Sequence, residues 1–139
     1  MYFYAIQQTP ENSPGMNVLI IDDDPIIRHA YAHYLNHRDY TTYQANNGIE
    51  GLKMLNDNPE ISKVILDAYM PEMDAFAFLR HIQDDAVFKT KHPDIYFISS
   101  WNRDHIQQRL DRENIDQANI KVVFQKPIDL GVLLEMLQN

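Results

Sequence analysis

Two short apolar runs end abruptly in aspartate: Val18-Leu19-Ile20-Ile21 in Asp22-Asp23, and Val64-Ile65-Leu66 in Asp67. Their β-branched content and sharp polar ends read as buried strands. If the two strands lie parallel and adjacent, their carboxyl ends deliver three carboxylates to one crevice, the place where ligands bind in open α/β sheets. Three crowded anions repel one another, so such a cluster must hold a proton or a cation. A ligand set made of oxygen alone favours a hard ion such as Mg²⁺, which takes one or two carboxylates, keeps several waters and leaves room for a phosphate. The trio points to phosphoryl chemistry.

The rest of the chain alternates between two hydrophobic periods. Pro25 stands where a helix can begin, and Ile27, Ala30, Tyr31, Tyr34 and Leu35 recur on one helical face, predicting a first helix to about Arg38. A short strand through Thr41, Tyr43 and Ala45 follows, then a helix from about Ile49 carrying Leu52 and Leu55 and ending before Asn58-Pro59. The third strand is predicted over residues 63–67. Met70-Pro71 breaks it, and Phe76, Leu79 and Ile82 mark a third helix. Ile95-Tyr96-Phe97-Ile98 reads as a fourth strand, closed by Ser99-Ser100. Ile106 and Leu110 support a fourth helix, Val122-Val123-Phe124 a fifth strand, and Leu130, Leu133, Leu134 and Leu137 a last helix. Five strand–helix alternations predict a parallel α/β sheet covered on both faces, because each parallel connection needs a crossover. The expected strand order is 2-1-3-4-5, with five flanking helices.

At 139 residues the chain is the size of one domain and buries enough surface to need no disulfide or structural metal. It contains no cysteine, which excludes thiolate nucleophiles and zinc–thiolate sites and agrees with a cytoplasmic setting. A formal net charge of −8 argues against a nucleic-acid surface, since phosphate backbones are gripped by Lys and Arg clusters. The opening Met1-Tyr2-Phe3-Tyr4-Ala5-Ile6 is apolar but too short to span a bilayer, and it lacks the basic flank of a signal peptide. Gln7 to Gly15 holds two prolines and a glycine among polar residues and reads as a linker. Residues 1–16 are therefore expected to form an extension and residues 17–139 the domain, with no membrane insertion.

With the elements ordered in this way, Asp22, Asp23, Asp67, Ser99 and Lys126 of Gln125-Lys126-Pro127 converge on one sheet edge. Each has a place in one reaction: Asp67 as the carboxylate that attacks a phosphoryl group, Asp22 and Asp23 as holders of Mg²⁺, Lys126 as the charge that neutralises the phosphoryl oxygens, and Ser99 as a hydrogen-bond donor to one of them. From about Asn17 onward the chain resembles the receiver domain of two-component response regulators. The resemblance is carried by Leu19-Ile20-Ile21-Asp22-Asp23-Asp24-Pro25, by Asp67-Ala68-Tyr69-Met70-Pro71 with Met73-Asp74, by Ile98-Ser99, and by Lys126-Pro127, in that order at four strand ends. It implies a flavodoxin-like fold and a switch rather than an enzyme. Asp67 becomes the phosphoacceptor, Asp22 and Asp23 the acidic pair, Tyr69 the donor of a backbone carbonyl to Mg²⁺, Ser99 the switch hydroxyl and Lys126 the phosphate-contacting lysine. It also implies a cis Lys126–Pro127 bond, a sensor histidine kinase or histidine phosphotransfer protein as donor, an unnamed downstream protein, and a response on the face of the fourth and fifth helices. Nothing follows the fifth helix, so the expectation is a stand-alone receiver.

Departures from the family pattern sharpen these expectations. Val123 occupies the place, three before the lysine, where most receivers carry an aromatic residue that turns when the switch hydroxyl moves. Coupling through that side chain is therefore not expected. Ala75 replaces a frequent glycine, and the interval from Ser99 to Lys126 is longer than usual, which makes the fourth helix the least typical part. Ser100, Trp101 and Tyr69 are bulky for their places and are expected to shield the acyl phosphate and prolong its life.

Other readings of the same residues remain. Asp22-Asp23-Asp24 imitates the Asp-x-Asp motif of haloacid-dehalogenase-type phosphatases, which would make Asp22 the nucleophile, and Val123 is compatible with a receiver-like interaction module that needs no phosphate. Asp24-Pro25 reads as a helix cap. His29, His33 and His37 form a stripe at four-residue spacing that a transition metal could use, but its position opposite Ile27 and Leu35 favours a solvated face. Met70, Met73 and the segment 76–78 read as turn and core packing.

Overall fold

A computed structural model describes residues 16–88 and 92–138. The strands are β1 (Asn17–Ile21), β2 (Thr41–Ala45), β3 (Lys63–Leu66), β4 (Asp94–Ser99) and β5 (Ile120–Gln125); the helices are α1 (Pro25–Asn36), α2 (Gly48–Asp57), α3 (Ala75–Asp84), α4 (Arg103–Arg112) and α5 (Leu130–Gln138). All strand pairings are parallel, in the order β2-β1-β3-β4-β5. This is the predicted doubly wound α/β architecture. The expected extension lies outside the described residues except for Met16, whose carbonyl accepts from the Thr41 N–H at 2.8 Å.

Alternation along the strands sorts the core into two layers. Leu19, Ile21, Val64, Leu66, Ile95 and Phe97 face α2, α3 and α4, whereas Val18, Ile20, Ile65, Tyr96 and Ile98 face α1 and α5. The central strands β1, β3 and β4 are therefore buried on both sides and read as continuous apolar runs. Edge strand β5 is only partly buried, and a register shift between Ile95 and Tyr96 bulges its pairing with β4.

Helix starts follow local capping chemistry. The Asp24 carboxylate accepts from the Ile26 N–H at 2.9 Å with Pro25 in the first turn, so Asp24 is the cap it was read to be. Asn47 caps α2, Asp74 caps α3 and Asn102 caps α4 by the same device. Gly51 lets α2 sit directly on the sheet, because a Cβ there would lie 2.5 Å from Ile21 Cδ1 and 3.1 Å from Phe78 Cε1.

Differences from the sequence expectations are small and local. Helix α1 stops at Asn36 rather than Arg38, with His37 as its C-cap, and it buries Ala32 rather than Ala30 beside Tyr31 and Leu35. Apolar periodicity could not separate these two small residues. Strand β3 ends at Leu66, one residue before Asp67, while β5 is longer at both ends than its apolar stretch. A 3₁₀ turn at Ala86–Phe88 had no sequence signal. His29, His33 and His37 are exposed, as a solvated face requires, and Met70 and Phe76 pack in the core. Ala75 starts α3 fully buried, its N–H bonded to the Ala68 carbonyl at 3.0 Å, so this turn is made without the frequent glycine.

Candidate functional site

Register brings the acids together. Ile21 pairs with Leu66, so the next residues, Asp22 and Asp67, leave the sheet side by side, and the Asp67 N–H still reaches the Ile21 carbonyl at 3.0 Å. Asp22, Asp23 and Asp67 each offer a carboxylate oxygen, and these oxygens lie within 4.8 Å of one another. Asp22 and Asp67 are buried and Asp23 is exposed, which leaves the pocket open on one side. On the far side, Ser99 pairs with Gln125 across β4 and β5, and the Lys126 N–H meets the Ser99 carbonyl at 2.6 Å. The Lys126–Pro127 bond is cis, as expected. The Lys126 ammonium donates to Asp22 Oδ2 at 2.9 Å and to Asp67 Oδ1 at 3.4 Å. Ser99 is buried at the same edge, where its Oγ accepts from the Trp101 N–H at 3.1 Å.

Hydrogen bonds fix the acids in place. Asp22 Oδ1 accepts from the Asp24 N–H at 2.9 Å, and its carbonyl is held by Arg28 at 2.8 Å. Asp67 Oδ1 accepts from the Ala68 N–H at 3.0 Å. Burial, and then the negative charge of Asp22, push the Asp67 carboxyl up to about 6, against the opposing pull of Lys126. Burial alone would lower the Lys126 ammonium, but its hydrogen bond to Asp22 and the charges of Asp67 and Asp22 outweigh that and leave it raised. The pocket carries more negative charge than one lysine neutralises. Three oxygen donors in this state fit a hard divalent cation, with Asp22, Asp23 and Asp67 as the side chains that would hold it.

Several neighbours were not found from the sequence. Tyr31 of α1 lies in the field of Lys126, Asp22 and Asp67; burial raises its hydroxyl above the usual phenol range. Periodicity read it only as core. Tyr69, expected to supply a backbone carbonyl, has its hydroxyl in a hydrogen bond with His105 Nε2 on α4 at 2.6 Å. His105 in turn stacks on Trp101 with ring centroids 4.5 Å apart, and Trp101 meets the Tyr69 ring edge-on at 5.5 Å. The four-residue step from Trp101 to His105 was the available signal, but nothing in the sequence paired it with Tyr69. Arg109 of the same helix lies over Phe76 at 4.0 Å and reaches Asp74 at 3.6 Å.

The family described as response regulator receiver domain matches residues 18–138. The chain belongs to that family. It is 33% identical over 94 residues to the sensor kinase CckA of Brucella abortus (strain 2308), which covers 67% of this chain but only 9% of that protein. It is 26% identical over 117 residues to the two-component response regulator ORR11 of Oryza sativa subsp. indica, covering 84% of this chain and 77% of that one. Among solved structures, the chemotaxis response regulator CheY4 of Vibrio cholerae superposes with a TM-score of 0.73 at 24% identity, covering 88% of this chain and 95% of the other. A chain of the CheX-CheY-BeF3-Mg+2 complex from Borrelia burgdorferi gives 0.72 at 24% identity, covering 88% of this chain and 87% of the other. The protein is thus a receiver domain of the response-regulator type, and its three-carboxylate pocket fits Mg²⁺-dependent phosphorylation of an aspartate. The family match favours this reading over a phosphatase nucleophile at Asp22. No described helix is long and apolar enough to cross a membrane.

Proposed function

We propose that Asp67 is the phosphoacceptor, and that a phosphohistidine on a sensor histidine kinase or histidine phosphotransfer protein supplies the group. An Asp67 carboxylate oxygen attacks phosphorus, and the phosphorus–nitrogen bond breaks with its electron pair passing to the imidazole, which regains a proton and leaves neutral. Lys126 balances the charge of the phosphoryl oxygens, and the Ser99 hydroxyl donates to one of them. Asp22 and Asp23, with Asp67 and the Tyr69 carbonyl, would hold Mg²⁺, which when bound neutralises charge between carboxylate and phosphoryl oxygens. The observation that carries this reading is the meeting of Asp22, Asp23, Asp67 and Lys126 in one pocket. The product is a switch state read by a downstream protein on the α4 to α5 face.

Acetyl phosphate with Mg²⁺, followed by mass-spectrometric mapping, tests the assignment. We expect one adduct, at Asp67, lost on chelation of the metal; an adduct at Asp22, or none, overturns it. The edge-on contact of the Tyr69 and Trp101 rings, with the Trp101 N–H on Ser99 Oγ, supports the further reading that water reaches the acyl phosphate slowly. Trp101→Ala and Tyr69→Ala are each expected to lose phosphate several-fold faster than wild type. A slower loss in either variant contradicts the shielding.

A further inference from the structure

Strand β5 holds no ring at the position where the site would ordinarily be read. Val123 is half-buried and packs against the cluster that contains Ile106 and Leu110 of α4. An aliphatic side chain makes no hydrogen bond that could report on Ser99. A different chain of contacts leads outward from the same hydroxyl. Ser99 Oγ accepts from the Trp101 N–H at 3.1 Å, the Trp101 indole stacks on His105 with 25° between the planes, and His105 Nε2 meets the Tyr69 hydroxyl at 2.6 Å. Tyr69 stands on the loop that follows Asp67, between Ala68 and Met70, both buried. The entry to α4 is therefore clasped between the two loops that flank the phosphoacceptor.

We propose that Trp101 and His105 form the joint through which a phosphoryl group on Asp67 moves the first turn of α4, taking over the task that a β5 aromatic cannot perform here. This rests on the assignment of Asp67 as phosphoacceptor. A serine hydroxyl has one proton to give and lone pairs to spare, so Ser99 can donate to a phosphoryl oxygen while it still accepts from Trp101. Drawing Ser99 inward then carries the Trp101 amide with it. The indole takes the stacked imidazole along, and the His105 ring shifts against a Tyr69 hydroxyl whose loop is pinned by its buried neighbours.

The far end of the helix resists. Arg109 is anchored on Phe76 and Asp74 and also lies 5.5 Å from the Tyr69 ring, and Glu113, at the C-cap, pairs with both Arg109 and Arg80 of α3. With the helix end held by these ion pairs, the response is largest over residues 101–106, a short two-position element biased from the site. Because coupling is reciprocal, loosening the clasp also changes how strongly the site holds a phosphoryl mimic.

Hydrogen exchange of the full chain, with and without beryllofluoride and Mg²⁺, tests the joint, and the emission of Trp101, the only tryptophan, gives a second readout. In wild type we expect amide exchange over residues 101–106 to change by about fivefold or more on binding, with a shift in emission. In Tyr69→Phe and His105→Ala, with calorimetry showing that the mimic still binds, that change should largely disappear, and His105→Gln, which keeps a hydrogen-bonding side chain, should restore part of it. Binding accompanied by a full-sized exchange response in both Tyr69→Phe and His105→Ala overturns the joint alone. Absence of beryllofluoride binding by wild type overturns the Asp67 assignment and the joint together.

Discussion

Asp67→Asn is expected to abolish phosphoryl acceptance and, in the same protein, to raise the melting temperature. The first effect follows from removing the only atom proposed to attack phosphorus. The second follows from electrostatics. Burial and the neighbouring Asp22 hold the Asp67 carboxyl at about 6, above its ordinary 3.8, so the folded state binds a proton more tightly than the unfolded state. Stability contributed by this group is therefore lost as pH rises from about 4 through about 6, and at pH 7 the carboxylate opposes folding. With the Asp67 side chain only 11% exposed, the penalty is on the order of 1–2 kcal/mol once solvent screening and Lys126 are allowed for. Asparagine keeps the shape and removes the charge. In chelator at pH 7 the variant should melt several degrees higher than wild type, by about 2–4 °C for each kcal/mol. The gap should close near pH 4, where the wild-type carboxyl is itself neutral, and narrow with Mg²⁺, which would stabilise wild type by binding its folded state. Calorimetric melts across pH, with and without metal, check all three. A variant less stable than wild type at neutral pH without metal would mean that the pocket favours the charged carboxylate.

The acids were legible in the sequence because chemistry and topology coincide there. A strand buried on both faces is a continuous apolar run, so its first polar residue marks where the chain leaves the sheet, and Asp22 and Asp67 stand at that point. Parallel pairing does the rest, since Ile21 opposite Leu66 makes neighbours of the residues that follow. Lys126 was legible for a similar reason, because β5 has an apolar stretch that ends beside a proline. What stayed hidden belongs to side chains that meet across the fold without a periodic signature. Tyr69 and His105 lie on a loop and a helix with a whole α/β unit between them, and no local pattern states that a hydroxyl and an imidazole will be 2.6 Å apart. Ala32 replaced Ala30 in the core for a related reason. Alanine costs so little on either side of a helix that only packing against β1 and α5 decides, and packing is absent from a one-dimensional pattern.

The lysine is the complementary probe of the same pocket, and Lys126→Met is expected to give the largest loss of stability of any substitution at the site. Methionine follows the aliphatic path of lysine and removes only the ammonium. It leaves Asp22 and Asp67, with side chains 4% and 11% exposed, facing each other without the cation that now bonds both. Deleting one partner of a buried ion cluster costs about 3–5 kcal/mol, and the 17% exposure of the lysine side chain places this case at the lower end. The loss should be greatest above pH 6 and shrink on acidification, because without Lys126 the Asp67 carboxyl keeps its proton to still higher pH and a protonated carboxyl does not repel Asp22. Combining Lys126→Met with Asp67→Asn should recover part of the loss, with a coupling of about 1–3 kcal/mol in a double-mutant cycle. Phosphoryl acceptance from acetyl phosphate should fall about 100-fold or more if, as proposed, the ammonium balances charge that grows as the group transfers. Denaturant titrations of the four proteins at pH 5 and pH 7 measure the coupling and its sign. If the two substitutions prove additive at both pH values, Lys126 and Asp67 do not share an electrostatic site, and the pocket would have to be reassigned around Asp22 alone.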